Sequence, residues 1–277
     1  MLEIKIAKYA GFCFGVERAM DRAWKALENN SKIYSLGPLI HNSQAVKKYE
    51  EKGLQIIDDL GTVGKGDTVI IRSHGVPLDV YIEAEKKEVN IIDLTCPYVK
   101  KIQNIASKYY NEGYKIIIIG DPNHPEVIGI NGWCNNDGII VKKIEDLDKV
   151  SRNNKYCVVA QTTMNLQVYD QICNKLKDII ADTVFFNTIC SATKERQEAA
   201  MEISKTVDAM IVIGGVHSSN TQKLVQICSQ FCKTYAIETI EDLDLQEIAK
   251  CSNVGITAGA STPDWVIDNV IDKIKSL

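Results

Sequence analysis

Three segments of this chain share one pattern, in which an apolar strand is followed by a cysteine and then by the start of a helix. The segments are IKIAKYAGFCFGVERA, VNIIDLTCPYVKKIQ and TVFFNTICSATKERQ, and their cysteines are Cys13, Cys96 and Cys190. The cysteines are spaced at similar intervals along the 277 residues. Such long, regular recurrence predicts repeated units of small-domain size rather than the shorter repeats of a solenoid.

Two further patterns follow each cysteine in the same order. The first of them, 28 positions after each cysteine, contains His41, His124 and Ser218. The second is spaced less regularly and lies in IRSHGVPLDV, AQTTMNLQVY and AGASTPDWVI, which contain His74, Thr162 and Ser261. Because three patterns recur in one order, we predict three similar small α/β lobes with pseudo-threefold symmetry. Their predicted limits are residues 1–90, 91–183 and 184–277.

Apolar runs of strand length alternate with amphipathic segments along the whole chain. Segments such as DTVIIRSHG, YKIIIIGD and AMIVIGG predict buried strands, whereas GVERAMDRAWKAL has apolar residues at helical spacing. This alternation predicts an α/β fold with largely parallel sheets. The cysteine, histidine and hydroxyl residues of the repeats follow the carboxyl ends of strands, where open α/β sheets bind ligands. We therefore expect the three cysteines to converge if the lobes face a common axis.

Charge and hydropathy exclude some classes of function. The formal net charge is −4 and the sequence contains no long basic run, so we expect no nucleic-acid partner. The longest apolar runs are too short to cross a bilayer, and the N-terminus lacks the pattern of a signal peptide. We therefore predict a cytoplasmic protein. In that compartment, the nine cysteines are not expected to form a disulfide framework.

Three thiolates beside helix starts suggest a soft metal, because a helix N-terminus favours the thiolate. The residues alone leave two possibilities open, zinc with an open position or a [4Fe–4S] cube. A cube held by three cysteines leaves one iron without a protein ligand, which suits binding and reducing an oxygen-bearing substrate. From the residues, a reductase and a non-redox hydro-lyase are nearly equal alternatives, and an iron or redox sensor is a third. We expect the other six cysteines to be structural.

Polar residues of the second and third patterns predict an anion site. Imidazole and hydroxyl donors near helix N-termini suit phosphate, and the residues in question are His41, His74, His124, Thr162, Ser218, Asn220 and Ser261. The sequence has neither a GxGxxG motif nor a P-loop, so a nucleotide in a standard cradle is not expected. Glu126 lies two residues after His124 and is a candidate proton donor.

Taken together, the motifs GFCFGVERA, LIHN, SHGV, TCP, HPEV, QTT, ICSAT-x-x-RQEA, SSN and GAS-x-P resemble the 4-hydroxy-3-methylbut-2-enyl diphosphate reductase family. The resemblance extends from about residue 11 to 265 and depends on the whole set of motifs. This family catalyses the last step of the methylerythritol phosphate route to isoprenoids. The resemblance implies three α/β lobes around a central [4Fe–4S] cluster held by Cys13, Cys96 and Cys190.

The resemblance also assigns roles to the remaining residues. It implies that the substrate diphosphate is bound by His41, His74, His124, Ser218, Ser219, Asn220 and Ser261. Thr162 and Glu126 match residues near the substrate hydroxyl, with Glu126 as the proton source. The implied reaction is a two-electron reductive removal of an allylic hydroxyl, which yields isopentenyl diphosphate and dimethylallyl diphosphate. Because no flavin or nicotinamide site is visible, we expect an external one-electron donor of the ferredoxin or flavodoxin type.

Two positions depart from the family pattern. GVH precedes SSN, so His217 is a further candidate donor near the diphosphate, and Phe14 follows the first cysteine where a smaller residue is common.

Overall fold

The β-strands of the described chain all pair in parallel with their neighbours. The structure is a computed structural model that describes residues 2–29 and 32–276. The strands are β1 (Glu3–Ile6), β2 (Ile33–Leu36), β3 (Leu54–Ile57), β4 (Thr68–Ile71), β5 (Asn90–Asp93), β6 (Lys115–Ile119), β7 (Ile139–Val141), β8 (Tyr156–Ala160), β9 (Thr183–Phe185), β10 (Ala209–Ile213), β11 (Lys233–Ile237) and β12 (Asn253–Ala258).

Helices connect most of these strands, as parallel pairing requires. They are α1 (Phe14–Asn29), α2 (Ser43–Glu51), α3 (Leu78–Lys86), α4 (Pro97–Asn111), α5 (Pro125–Gly132), α6 (Leu166–Ile179), α7 (Ser191–Ser204), α8 (Ser219–Cys228), α9 (Leu245–Ile248) and α10 (Asp264–Lys275). The predicted helix in GVERAMDRAWKAL is confirmed as α1. Three of the helices, α1, α4 and α7, each begin directly after one of the repeated cysteines.

The strands form three four-stranded sheets with one common order. Sheet I is β3-β2-β4-β5, sheet II is β7-β6-β8-β9, and sheet III is β11-β10-β12-β1. In sheets I and II the chain starts in a central strand, moves to one edge, returns to the other central strand and ends at the opposite edge. Sheet III follows the same path, except that the N-terminal strand supplies its last position. The predicted α/β class with three similar lobes is thereby confirmed.

The predicted lobe limits are wrong by one strand. β1 pairs with β12, with Glu3 opposite Asn253, so the N-terminal strand belongs to the sheet of the last third and not to a lobe of residues 1–90. The limits 1–90, 91–183 and 184–277 also cut through β5 and β9. The reason is that each cysteine follows the last strand of a sheet, whereas the prediction placed it at the start of a lobe.

The chain divides into two compact units. One comprises residues 1–17, 40–48 and 191–277 and contains sheet III, and the other comprises residues 18–39 and 49–190 and contains sheets I and II. In the first unit, apolar residues of β10 and β12 pack against one face of α10. In the second unit, the four isoleucines of β6 are fully buried. A continuous apolar run of this kind is typical of a parallel strand covered on both faces.

Within the second unit, α5 packs against the turn between β4 and α3. The indole Nε1 of Trp133 donates a hydrogen bond to the carbonyl oxygen of Val76 at 3.0 Å. Gly75, at the centre of this turn, has a φ of +70°, and a Cβ there would lie 2.4 Å from Nε2 of Gln103. Glycine at this position therefore allows both the left-handed backbone and the close approach.

We expect Gly75→Ala to destabilise the protein by about 2 kcal/mol, because it strains the backbone and overlaps Gln103. The control Gly64→Ala adds a Cβ that has no atom within 4 Å and should change stability by less than about 0.5 kcal/mol. The measurement is the free energy of unfolding from urea titration. Equal values for the two variants would contradict this account of the turn.

Candidate functional site

In sheets I and II, the connections that follow the two central strands lead to opposite edges of the sheet, and sheet III has the same strand order. Such an arrangement opens a crevice between the carboxyl ends of the two strands. In sheet II these strands are β6, which leads to His124 and Glu126, and β8, which leads to Thr162. In sheet III they are β10, which leads to Ser218, and β12, which leads to Ser261. The repeated polar residues thus follow the strands at which α/β sheets bind ligands.

Glu126 and Thr162 are joined across the crevice of sheet II. The carboxylate Oε1 of Glu126 accepts a hydrogen bond from the backbone N–H of Thr162 at 2.5 Å, and its Oε2 accepts one from Thr162 Oγ1 at 2.6 Å. Glu126 is only 2% exposed. Both residues therefore belong to one buried hydrogen-bonded pair, in line with the resemblance, which implies that they lie in one site.

Burial controls the protonation of Glu126. Loss of solvation raises the pKa of its carboxyl to about 7, against the opposing effect of the two hydrogen bonds from Thr162. A carboxyl with a pKa near neutrality can both hold and release a proton under physiological conditions. The geometry therefore suits Glu126 to the role of general acid.

His124 is the N-cap of α5 and lies beside this pair. Its Nδ1 accepts a hydrogen bond from the backbone N–H of Glu126 at 3.2 Å, so a neutral imidazole carries its proton on Nε2. The ring of His74 stands edge-on to it, with the ring centroids 5.4 Å apart. The structure thus brings together two of the predicted anion-binding histidines.

In the first unit, the predicted polar residues of sheet III are buried. Ser218 caps α8, with its Oγ accepting a hydrogen bond from the N–H of Thr221 at 3.4 Å. Asn220 is 4% exposed and Ser261 7%, and neither the amide atoms of Asn220 nor Oγ of Ser261 has a hydrogen-bond partner among the described residues. Buried polar atoms of this kind fit a polar ligand at the start of α8.

The remaining residues of this group lie near the same loop. The backbone of His41 abuts Gly215, where a Cβ would lie 2.2 Å from the carbonyl oxygen of His41. Ser219 is half-buried at the first position of α8, whereas the His217 side chain is exposed. The suggested extra donor His217 is therefore on the surface, and its role stays a prediction.

The three repeated cysteines have equivalent backbone positions in the three sheets. The N–H of Cys96 donates to the carbonyl of Ser73 at 2.9 Å, that of Cys190 to Thr162 at 3.0 Å, and that of Cys13 to Ala260 at 3.4 Å. In every case, the acceptor lies just beyond the end of the adjacent central strand. The repeat seen in the sequence is therefore a repeat of local geometry.

The nine cysteines fall into two groups by environment, and none is in a disulfide. Cys13, Cys96 and Cys190 are half-buried, and each directly precedes a helix. Burial raises the pKa of the other thiols, to about 11 for Cys134 and to about 12 for Cys157 and Cys228, and also raises those of Cys173, Cys232 and Cys251. A set of three sulfur donors fits a soft metal centre.

Arg196 is a positioning residue that the sequence analysis did not identify. It lies on α7, is 3% exposed, and donates from Nε to the carbonyl of Tyr9 at 2.7 Å and from Nη2 to that of Gly11 at 2.6 Å. These bonds hold the loop that carries Cys13. The only sequence feature that points to Arg196 is its position on the buried face of a helix, in the RQEA part of the motif ICSAT-x-x-RQEA.

Comparisons with known proteins cover the whole chain. The sequence profile of the family described as LytB protein matches residues 4–275. A 4-hydroxy-3-methylbut-2-enyl diphosphate reductase of Clostridioides difficile (strain 630) is 56% identical over 100% of both chains. None of the helices within residues 2–29 and 32–276 has the length and apolar character that crossing a bilayer requires.

Two solved structures are also similar. The first is the E-1-hydroxy-2-methyl-but-2-enyl-4-diphosphate reductase from Plasmodium falciparum, which is 32% identical with a TM-score of 0.94 over 98% of this chain and 87% of that one. The second is an (E)-4-hydroxy-3-methyl-but-2-enyl diphosphate reductase, described as the terminal enzyme of the non-mevalonate pathway. It is 40% identical, with a TM-score of 0.73 over 100% of both chains.

We expect Thr162→Val to raise the pKa of Glu126 further, because it removes the hydroxyl that stabilises the carboxylate. The measurement is an infrared pH titration of the carboxyl band, assigned by its loss in Glu126→Gln. Thr163→Val leaves both bonds to Glu126 in place and should not move the midpoint. A midpoint that falls or stays constant in Thr162→Val would contradict the proposed pairing.

Proposed function

The chain belongs to the LytB protein family, and from this premise we propose that it reduces (E)-4-hydroxy-3-methylbut-2-enyl diphosphate. The allylic hydroxyl leaves as water and the products are isopentenyl diphosphate and dimethylallyl diphosphate. Each turnover consumes two electrons and two protons. The observation that carries the proposal is the buried Glu126–Thr162 pair, a proton source at the end of two central strands.

The cofactor in this proposal is a [4Fe–4S] cluster held by Cys13, Cys96 and Cys190. Support comes from the donor set, which consists of three half-buried sulfurs at helix starts in equivalent backbone positions. When bound, the cluster would supply single electrons and one iron without a protein ligand. The six remaining cysteines have raised thiol pKa values and are left out of the ligand set.

The diphosphate is bound by donors at helix starts. Ser218, Ser219 and Asn220 lie at the N-terminus of α8, where backbone N–H groups and the helix dipole favour an anion. The unpartnered atoms of Asn220 and Ser261 gain hydrogen-bond partners when the anion binds. His41, His74 and His124 add imidazole donors, with Nε2 of His124 carrying its proton.

Glu126 provides the proton on which the loss of the hydroxyl depends. In its neutral form the carboxyl donates to Thr162 Oγ1, and the hydroxyl proton of Thr162 then points away from the carboxyl. A proton can pass along this pair to the departing oxygen of the substrate while Glu126 becomes the carboxylate. The backbone N–H of Thr162 stabilises that carboxylate.

The electrons come from a separate ferredoxin- or flavodoxin-type protein, and we place the reaction in the cytoplasm. Dependence on a reductant separates this reaction from that of a hydro-lyase. If water were released from the allylic diphosphate without any electron donor, the enzyme would be a hydro-lyase and not a reductase.

Glu126→Gln should lower turnover by about 10²–10⁴-fold while iron content and the optical spectrum stay unchanged, because only proton transfer is removed. Glutamine has the same shape and can still accept from the N–H of Thr162. The measurement is anaerobic product formation with dithionite-reduced methyl viologen. The exposed Glu112→Gln serves as the control. Full activity in Glu126→Gln would remove this carboxyl from the mechanism.

Cys13→Ser should lower the iron and sulfide content of anaerobically purified protein, because the hard hydroxyl replaces a soft thiolate ligand. Cys228→Ser changes a buried cysteine outside the ligand set and should retain the iron of the parent protein. Iron is measured by chelator absorbance after acid release. The ligand assignment fails if the two variants hold equal amounts of iron.

A further inference from the structure

A basic groove lies between α1 and α4 within the second unit. We call it the α1–α4 groove, and it has a volume of about 550 Å³. It is lined by Arg18, Arg22, Asp93, Thr95, Pro97, Lys100, Lys101, Asn104, Ile105 and Lys108. The lining residues on α4 extend from Pro97 to Lys108, which corresponds to about 16 Å of helix length. The groove is therefore an elongated surface along two helices.

The charge of the groove is opposite to that of the whole chain. Five cationic side chains line it beside a single carboxylate, Asp93, whereas the chain has a net charge of −4. Lys100 forms an ion pair with Asp93. Arg22 and Lys101 are exposed, and neither forms an ion pair with a carboxylate of the described residues. This uncompensated positive charge attracts an anionic partner.

One end of the groove adjoins a cysteine of the proposed cluster. Thr95 and Pro97, the residues on either side of Cys96, both line it. Arg18 fixes this end, since its Nη2 donates to the carbonyl of Thr95 at 3.0 Å. A partner seated in the groove therefore contacts the residues that flank Cys96.

We propose that the α1–α4 groove is the docking surface for the acidic electron-carrier protein that reduces this enzyme. The inference rests on the proposed function. A protein fits better than a small anion, because small-ligand sites enclose their ligand, whereas Arg22, Lys101 and Lys108 are exposed side chains spread along two helices. Long, exposed cations are suited to steering a protein of opposite charge.

Each docking delivers one electron at the Cys96 end of the groove. The carrier is oxidised by one electron and the enzyme is reduced by one, so two dockings supply one turnover. Together with two protons, these electrons replace the C–O bond of the substrate by a C–H bond and release water. The reaction requires no other reductant.

The test compares Arg22→Glu/Lys101→Glu with Lys86→Glu/Lys175→Glu in the cluster-loaded enzyme. Both pairs make the same change in net charge, and the control lysines are exposed on α3 and α6. Binding of fluorescently labelled flavodoxin is measured by anisotropy, independently of turnover. Turnover is measured with reduced flavodoxin and, separately, with dithionite-reduced methyl viologen, a small dication.

The groove variant should bind flavodoxin about tenfold more weakly than the control variant, with a corresponding rise in KM for flavodoxin and a smaller dependence on salt. Its turnover with methyl viologen should be unchanged. Equal flavodoxin affinity in the two variants overturns the proposal. It is also overturned if inorganic pyrophosphate competes flavodoxin off the parent enzyme far more effectively than sodium chloride of equal ionic strength while the groove variant shows no such difference, because the groove is then a small-anion site.

Failure of the proposed function has a different signature. A parent enzyme that binds flavodoxin through the groove but does not reduce the allylic diphosphate with either donor contradicts the proposed reaction and leaves the docking surface in place.

Discussion

The parallel pairing of every described strand is the constraint on which the site depends. In a parallel sheet all carboxyl ends lie at one edge, and the common strand order places a change of direction between the two central strands. The outer strand that ends each sheet is followed by a cysteine, whose N–H bonds to the chain leaving the adjacent central strand. The backbone alone therefore determines where the cysteine sulfur and the polar donors lie within each sheet.

Burial of Glu126 affects both the pKa of its carboxyl and the stability of the folded protein. A carboxyl whose pKa is about 7 in the folded protein favours the folded state below its ordinary pKa, and this contribution is lost as the pH rises through 7. The two hydrogen bonds from Thr162 limit that loss, because they favour the carboxylate. One of these bonds connects the acid to the hydroxyl of Thr162. The burial of this carboxyl therefore costs stability at neutral pH, and proton transfer is the use that the proposed function assigns to it.

The sequence predicted the buried strands well, because central parallel strands such as β6 and β10 are continuous apolar runs bounded by turn residues. It did not predict the outer strands β3, β7 and β11, which are partly exposed, or the buried central strand β2, whose four residues IYSL are not a continuous apolar run. The lobe limits were displaced by one strand because no local signal indicates that β1 pairs with β12, some 250 residues away along the chain. The role of Arg196 was missed for the same reason, since its acceptors Tyr9 and Gly11 are far away in sequence. Cys13, Cys96 and Cys190 were found because repetition itself is visible in a sequence.

The central claim is that three equivalent cysteines hold one cluster in which a single iron lacks a protein ligand. The most direct measurement is a Mössbauer spectrum of isotope-enriched protein, recorded anaerobically before and after addition of the allylic diphosphate. The account predicts iron and sulfide in equal amounts and one iron site whose signal alone changes with substrate. A catalytically active protein without iron, or a spectrum in which no site responds to substrate, would contradict it.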